Sequence, residues 1–291
     1  MKPADILIAL VVAIIWGLAF VASRIALDEL SPELMTAMRF SIAAVPCLFI
    51  PKPKVAWSLL VAISFTLFLG QFLSQAYGIA HGVPVGLTSV VVQSQALFTI
   101  GFAALAFGER PTPVQTLGVA IAAIGLLMIC GTVGYDFSLA AFAVLMVSPV
   151  SFAVGNLLLR GARGVPMFDL FAWLCLASAV PLFVLALITN GPAPTWTSLS
   201  HISLTSAFCM LALGAVSTSI AYWLWGRLLR DYPAAQVVPF ALLVPFVGSA
   251  ASSIVFGERF GPLRLAGMLT VIGGIAVMVL AKRPQIQPKT A

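Results

Sequence analysis

Gln71 and Gln75 stand one helical turn apart in a stretch, 56–79, that carries no charge. Residues at this spacing share one face of a helix, and Ser64 and Phe68 continue the same stripe. Gln93 and Gln95 lie in a second apolar run, on sides of a helix that cannot both face one direction. Asn156 lies in a third, beside Ser148 and Ser151. A fourth holds Ser217, Thr218, Ser219 and Tyr222, followed by Trp223 and Trp225. Polar groups are costly in an apolar medium and tend to face the interior of a bundle. Uncharged donors and acceptors gathered there suit the holding of a neutral or zwitterionic organic molecule. The alternative for each is a bond across helices that holds the bundle together. Trp16, Tyr77, Tyr222 and Trp223 can supply stacking walls for an aromatic ligand, or serve as packing or an interfacial belt. Trp225, near a helix end, fits the belt.

Other chemistries find no support in the sequence. His81 and His201 fall in short segments between apolar runs, with neither a metal-binding HExxH nor a Ser/His/Asp set around them. Cys47, Cys130, Cys175 and Cys209 are scattered, without CxxC spacing, so no disulfide framework, metal or other cofactor is expected. An intramembrane enzyme would need converging catalytic groups. All nine carboxylates fall at the ends of runs or between them, which leaves proton coupling unproven and facilitated efflux compatible. No Lys or Arg is expected deep in a cavity. Arg24 and Arg39 are placed near its outer rim, guiding a carboxylate or pairing with Asp28, Glu29 or Glu33.

The elements that position these residues follow from composition. Hydrophobic residues make up 61% of the 291-residue chain and charged residues 8%, against about 25% charged in ordinary globular proteins. Such a chain has lipid as its main solvent. The formal charge of +6 reads as a topology signal, with no nucleic-acid partner. About 20 apolar residues cross a bilayer, and inside lipid helices satisfy their own backbone. Charges, Pro and Gly divide the chain into ten spans: 5–27, 34–50, 56–79, 85–107, 113–132, 138–160, 168–189, 203–229, 234–256 and 262–281. The run 34–50 is the shortest and carries Pro46. The opening run, Ile6 to Ala22, is long for a signal peptide and reads as a retained helix. Pro149, Pro181, Pro239 and Pro245 lie within spans as kinks or hinges. Gly118, Ala122 and Gly125, and Gly267, Val271 and Gly274, read as close-packing faces.

With the N-terminus in the cytoplasm, that side collects eleven of the fifteen Lys and Arg, among them Lys2, Lys52, Arg110, Arg160, Arg227 and Lys282. The other side holds Arg24, Arg39, Arg259 and Arg264. Positive charge concentrates in cytoplasmic loops, so both termini are placed there.

The tetrapeptide FGER occurs at Phe107–Arg110 and again at Phe256–Arg259, an offset of 149 residues. At that offset Pro84 meets Pro233, Pro113 meets Pro262, Gly118 meets Gly267 and Gly125 meets Gly274. At a shorter offset Trp16-Gly17 meets Phe152-Ala153, Phe20 meets Asn156 and Arg24 meets Arg160. Each half holds five spans, an odd number, so the second half enters the membrane inverted. The halves are 1–134 and 135–283, with a cytoplasmic tail at 284–291. Inverted repeats are characteristic of secondary transporters, with the substrate near midplane. FGER itself reads as punctuation: Gly108 and Gly257 suit the left-handed end of a helix, and the prolines suit the start of the next.

The five-plus-five arrangement, the early Trp16-Gly17, and the Gly-Glu-Arg-plus-Pro element closing the fourth span of each half resemble the EamA-type branch of the drug/metabolite transporter superfamily. Within it the chain looks most like bacterial YddG-type exporters of aromatic amino acids. The resemblance implies an all-α membrane protein of ten helices around a central cavity lined by spans 1, 3, 4, 6, 8 and 9, with spans 5 and 10 at the periphery. The expected site comprises Trp16, Phe20, Gln71, Gln75, Tyr77, Gln93, Asn156, Ser217, Tyr222 and Trp223, with Pro149, Pro239 and Pro245 as hinges. The expected function is export of small neutral or zwitterionic metabolites, such as aromatic or hydrophobic amino acids, across the bacterial inner membrane by alternating access. Its alternatives are a broad-specificity carrier for amphiphilic drugs, an intramembrane enzyme, or a channel. The oligomeric state is left open, a monomer included.

Overall fold

The computed structural model describes residues 1–280 and is built from helices. They are α1 (Pro3–Ala26), α2 (Pro32–Ala43), α3 (Trp57–Ala80), α4 (Val85–Phe107), α5 (Pro113–Cys130), α6 (Leu139–Ala162), α7 (Met167–Asn190), α8 (Pro192–Ser200), α9 (Leu204–Asp231), α10 (Val238–Phe256) and α11 (Pro262–Leu280). Nine of these described helices, all but α2 and α8, are long and apolar enough to cross a membrane. The chain is a multi-pass membrane protein.

The second expected span is the exception. Its α-helix ends at Ala43 and passes into a 3-10 turn, Val45–Leu48, that contains Pro46. Proline donates no N–H and its ring clashes with the carbonyl four residues back, so the helix stops there. Twelve residues rise about 18 Å, short of the roughly 30 Å hydrocarbon core. The short helix α8 was not foreseen; it starts at Pro192, directly after Gly191 at φ 84°. The C-terminal tail 284–291 and the last residue of the tenth span lie outside the described residues.

Helix ends carry the expected signals. Gly108 and Gly257 adopt φ 63° and 67° and close α4 and α10. Thr112 caps α5 reciprocally with Gln115, at 2.9 and 3.2 Å, and Pro113 and Pro262 open α5 and α11. Five helices depart from regular α geometry, α6 by closing in a 3-10 turn at Leu159–Ala162. α3 and α9 contain π-helical stretches, Ser64–Gly70 and Ala212–Ile220. α4 is interrupted by a 3-10 turn at Val92–Ser94, and α10 opens with another at Val238–Leu242 that contains Pro239. Pro149 and Pro181 sit inside α6 and α7, and Pro245 lies near the start of the α-helical part of α10.

The packing partners run in pairs. α1 lies against α9 and α10, while α6 lies against α3 and α4. α2 meets α9 and α7 meets α3; α2 also meets α7, α4 meets α10 and α5 meets α11. The α5–α11 seam is a backbone contact: a Cβ on Gly274 would stand 2.4 Å from the Ala122 nitrogen, and one on Gly125 would stand 2.7 Å from the Gly267 carbonyl oxygen. Small residues permit this approach, which is how helices associate when no hydrophobic drive separates them from lipid. Large apolar side chains such as Leu105, Leu204 and Ile254 cover the outside.

Polar contacts fix which helix ends share a face. Arg227 and Tyr232 meet Asp5 at the N-terminal face, where Arg160 also pairs with Glu109 at 2.6 Å. At the opposite face Arg24 pairs with Asp28 and Arg264 pairs with Asp136 at 2.6 Å.

The central cavity as candidate functional site

Within the bundle lies a partly open cavity of about 680 Å³. Its walls come from α1, α3, α4, α6, α9 and α10, joined by Arg39 of α2 and by Met167 and Phe171 of α7; α5 and α11 contribute nothing. The lining reaches Leu159, Met167, Leu229 and Arg230, at the ends of α6, α7 and α9 that lie on the N-terminal face.

Eight of the residues expected at the site border this cavity: Trp16, Phe20, Gln71, Gln75, Gln93, Asn156, Ser217 and Tyr222. Trp16 is held in place by its indole N–H, which donates to the Ser217 carbonyl at 3.1 Å. That carbonyl belongs to the π-helical stretch of α9, where Thr218 and Ser219 donate their hydroxyls five residues back, to Leu213 and Gly214. The Trp16 ring lies 5.3 Å from Tyr222 and 5.1 Å from Trp225, and Phe171 meets Tyr222 edge to face at 5.2 Å. The result is an aromatic wall of fixed geometry. Gln93 donates to the Ala241 carbonyl of α10 at 3.3 Å, while the buried Oε1 atoms of Gln71 and Gln95 have no hydrogen-bond partner among the described residues.

Two expected residues lie elsewhere. Tyr77 stacks on His81 at 3.8 Å near the opposite-face end of α3, because it sits two residues beyond Gln75 and so points away from the Gln71–Gln75 stripe. Trp223, one residue from Tyr222, is rotated off the wall, half exposed, and borders a small separate cleft with Phe168.

Three further expectations need correcting. Trp225 lines the cavity instead of forming a belt, since it stands three residues past Tyr222 on the same face. Gln93 and Gln95 both reach the cavity, because the 3-10 turn at Val92–Ser94 breaks the α-helical register between them. Arg39 is not at the rim. It is 4% exposed, lines the cavity, and donates from Nε to Thr218 Oγ1 at 2.9 Å and from Nη2 to Ser217 Oγ at 3.4 Å. Its guanidinium rests on the Phe72 ring, 4.3 Å from the centroid. Arg24 does pair with Asp28, whereas Arg39 forms no ion pair among the described residues. The available signal was Arg39's position in the middle of the apolar run MTAMRFSIAA; the truncation of α2 at Pro46 hid its depth.

Away from the cavity mouth, the opposite face is held by hydrogen bonds. Both oxygens of Glu258 accept from the first backbone N–H groups of α4, Val85 at 2.6 Å and Gly86 at 2.9 Å. Glu29 accepts from the Ser203 N–H and hydroxyl at 2.9 and 2.6 Å, and these bonds hold its carboxyl below the ordinary range. Asn190 donates to Ser31 at 3.0 Å.

Comparison with known proteins gives a consistent family. The chain matches the EamA-like transporter family over residues 4–131 and 139–280. It is 32% identical over 290 residues to proteins from Salmonella typhimurium and Escherichia coli, each described as a "Probable amino-acid metabolite efflux pump", with 97% of both chains covered. It is 26% identical over 292 residues to a "Probable terminal-alkyne amino-acid exporter" of Streptantibioticus cattleyicolor, covering 96% of this chain and 94% of that one. A solved structure titled "Crystal structure of protein" superposes with a TM-score of 0.66 at 19% identity, over 95% of this chain and 96% of the other. That likeness concerns the fold alone.

Proposed function

Since the chain belongs to the EamA-like transporter family, we propose that it exports small neutral or zwitterionic metabolites, foremost amino acids with aromatic or apolar side chains. The observation that carries this reading is the central cavity of about 680 Å³, which combines an aromatic wall with buried amides. Its size falls in the usual range of small-molecule sites, about 300–1,000 Å³. The names of the relatives above point to the same class of cargo.

The proposed mechanism is alternating access between two inverted five-helix halves, with α2 and its 3-10 turn serving as the short tenth element. Exchanging α1–α5 with α6, α7, α9, α10 and α11 leaves the packing scheme unchanged: α1 on α9 and α10 becomes α6 on α3 and α4, and α2 on α9 becomes α7 on α3. The π-helical stretches of α3 and α9 also correspond, as do the left-handed glycines at 108 and 257. This double correspondence supports a duplicated, inverted unit. The 3-10 segments of α4 and α10, with Pro239 and Pro245, together with Pro149 in α6, are the proposed hinges. The Lys and Arg bias supports cytoplasmic termini, so that in an inner membrane the cavity mouth receives cargo from the cytoplasm. In this reading the protein does no covalent chemistry.

Substitution tests the site. Gln75→Leu and Trp16→Phe should each reduce flux of L-phenylalanine from proteoliposomes several-fold while the protein remains folded and monodisperse. Unchanged flux in both would remove the cavity from the transport path.

A further inference from the structure

We propose that Arg39 is the carboxylate anchor of the cavity, so that the cargo is recognised as a small organic carboxylate whose amino group is dispensable. The site is that of the transporter reading above; what is added is the chemical class it selects, which extends that reading from zwitterions to anionic N-acyl amino acids.

Arg39 is buried in the middle of α2, yet its guanidinium borders the cavity, and every partner it has is neutral: Thr218, Ser217 and the Phe72 ring. A guanidinium carries five N–H donors. One on Nε and one on Nη2 are engaged, which leaves both donors of Nη1 and one of Nη2 for a ligand. Asp28 and Glu29 are engaged elsewhere, with Arg24 and Ser203 at the opposite face. The other charged lining residue among those described, Arg230, bonds Asp231 at 2.9 Å by the cavity mouth, and no described Asp or Glu lines the cavity. The middle of the cavity therefore holds one fixed positive charge. A buried charge at membrane depth is costly unless it is paired. A ligand carboxylate removes that cost and can accept two parallel N–H bonds from the planar fork.

The amino end of an amino acid meets different chemistry. Among the described residues no Asp or Glu lines the cavity, so nothing there demands a cation, and the Gln75 and Asn156 amides that border it can meet an ammonium group or an amide N–H alike. The aromatic wall of Trp16, Tyr222 and Phe171 takes the apolar side chain. Free amino acids and N-acylated amino acids should therefore both bind. Amino acid esters and simple amines, which bring a positive charge without a carboxylate, should be rejected; cationic amphiphiles share that fate.

Quenching of intrinsic Trp fluorescence in the purified full chain reads binding without requiring transport, since Trp16 and Trp225 line the cavity. The ligands are L-phenylalanine, N-acetyl-L-phenylalanine, L-phenylalanine methyl ester and phenethylamine. The two acids should bind with similar affinity, and the ester and amine about 10- to 100-fold more weakly. Arg39→Gln should weaken both acids by a similar factor and leave the ester unchanged or tighter, a reversal of selectivity that a purely structural role would not produce. Ester binding equal to acid binding, undiminished acid binding by Arg39→Gln, or no binding of either acid overturns the proposal. If Arg39→Gln does not fold, the four-ligand series on the natural protein decides the matter alone. Acids that bind as stated but are not translocated would overturn the transport reading and leave the Arg39 assignment standing.

Discussion

If the face opposite the cavity mouth opens during transport, the bond between Glu258 and the start of α4 must break. Both carboxylate oxygens of Glu258 accept backbone N–H groups, from Val85 at 2.6 Å and Gly86 at 2.9 Å. The substitution Glu258→Gln keeps the shape but offers only one acceptor oxygen, and its NH2 group confronts the second N–H. A hydrogen bond to a charged group contributes about 1.5–3 kcal/mol, and a negative charge at a helix N-terminus adds about 0.3–1 kcal/mol. Taking about 2–3 kcal/mol for the loss, the closed arrangement should weaken about 30- to 150-fold relative to the open one. Ser89 reports on this opening: it is fully buried behind the contact, with its hydroxyl on Gly86. In a background lacking the native cysteines, Ser89→Cys should react slowly with a membrane-impermeant maleimide, and about 30- to 150-fold faster once Glu258→Gln is added. A cysteine placed at the N-terminal face should not accelerate. An unchanged labelling rate would refute the role of Glu258 as the closure contact.

Other consequences follow from particular contacts. Gly274→Val forces side-chain atoms against the α5 backbone, where a Cβ already stands 2.4 Å from the Ala122 nitrogen; it should destabilise the protein by at least about 1–3 kcal/mol, read as a lowered detergent melting temperature. Trp16→Phe removes the donor to the Ser217 carbonyl, a loss of about 0.5–1.5 kcal/mol; the dissociation constant for L-phenylalanine should rise a few-fold up to about tenfold, measured by competition against a labelled ligand. The Ser203 hydroxyl and N–H lower the Glu29 pKa below the ordinary value of 4.5. A depressed carboxyl pKa stabilises the fold fully above that value, and the contribution fades as the pH falls through the folded-state pKa. Melting curves should therefore show an acid-side loss of stability that Glu29→Gln diminishes; an identical pH profile in the variant would contradict it.

The parts of the fold written in local rules were legible in the sequence. Gly108 and Gly257 with the following prolines marked helix ends because left-handed backbone favours glycine. The glycine faces of α5 and α11 announced a close seam because only small residues permit it. The Gln71–Gln75 stripe was readable from helical spacing. What escaped was whatever depends on departures from the α-helix. The 3-10 turn in α4 turned Gln95 toward the cavity with Gln93, and Pro46 cut α2 short and left Arg39 deep inside. Tyr77 and Trp223 were misplaced because aromatic type suggested a wall where helical phase points them away from it. A charge-based reading sent Arg39 to the nearest carboxylates; the three-dimensional packing instead gave it two hydroxyls and a ring.

The measurement that bears most directly on the central claim is counterflow of labelled L-phenylalanine in proteoliposomes loaded with the unlabelled compound. The account predicts transient accumulation of label that saturates with external concentration, is lost in Trp16→Ala, and proceeds without an imposed pH gradient. Uptake that shows no counterflow and rises linearly with concentration would contradict a carrier that works through this cavity.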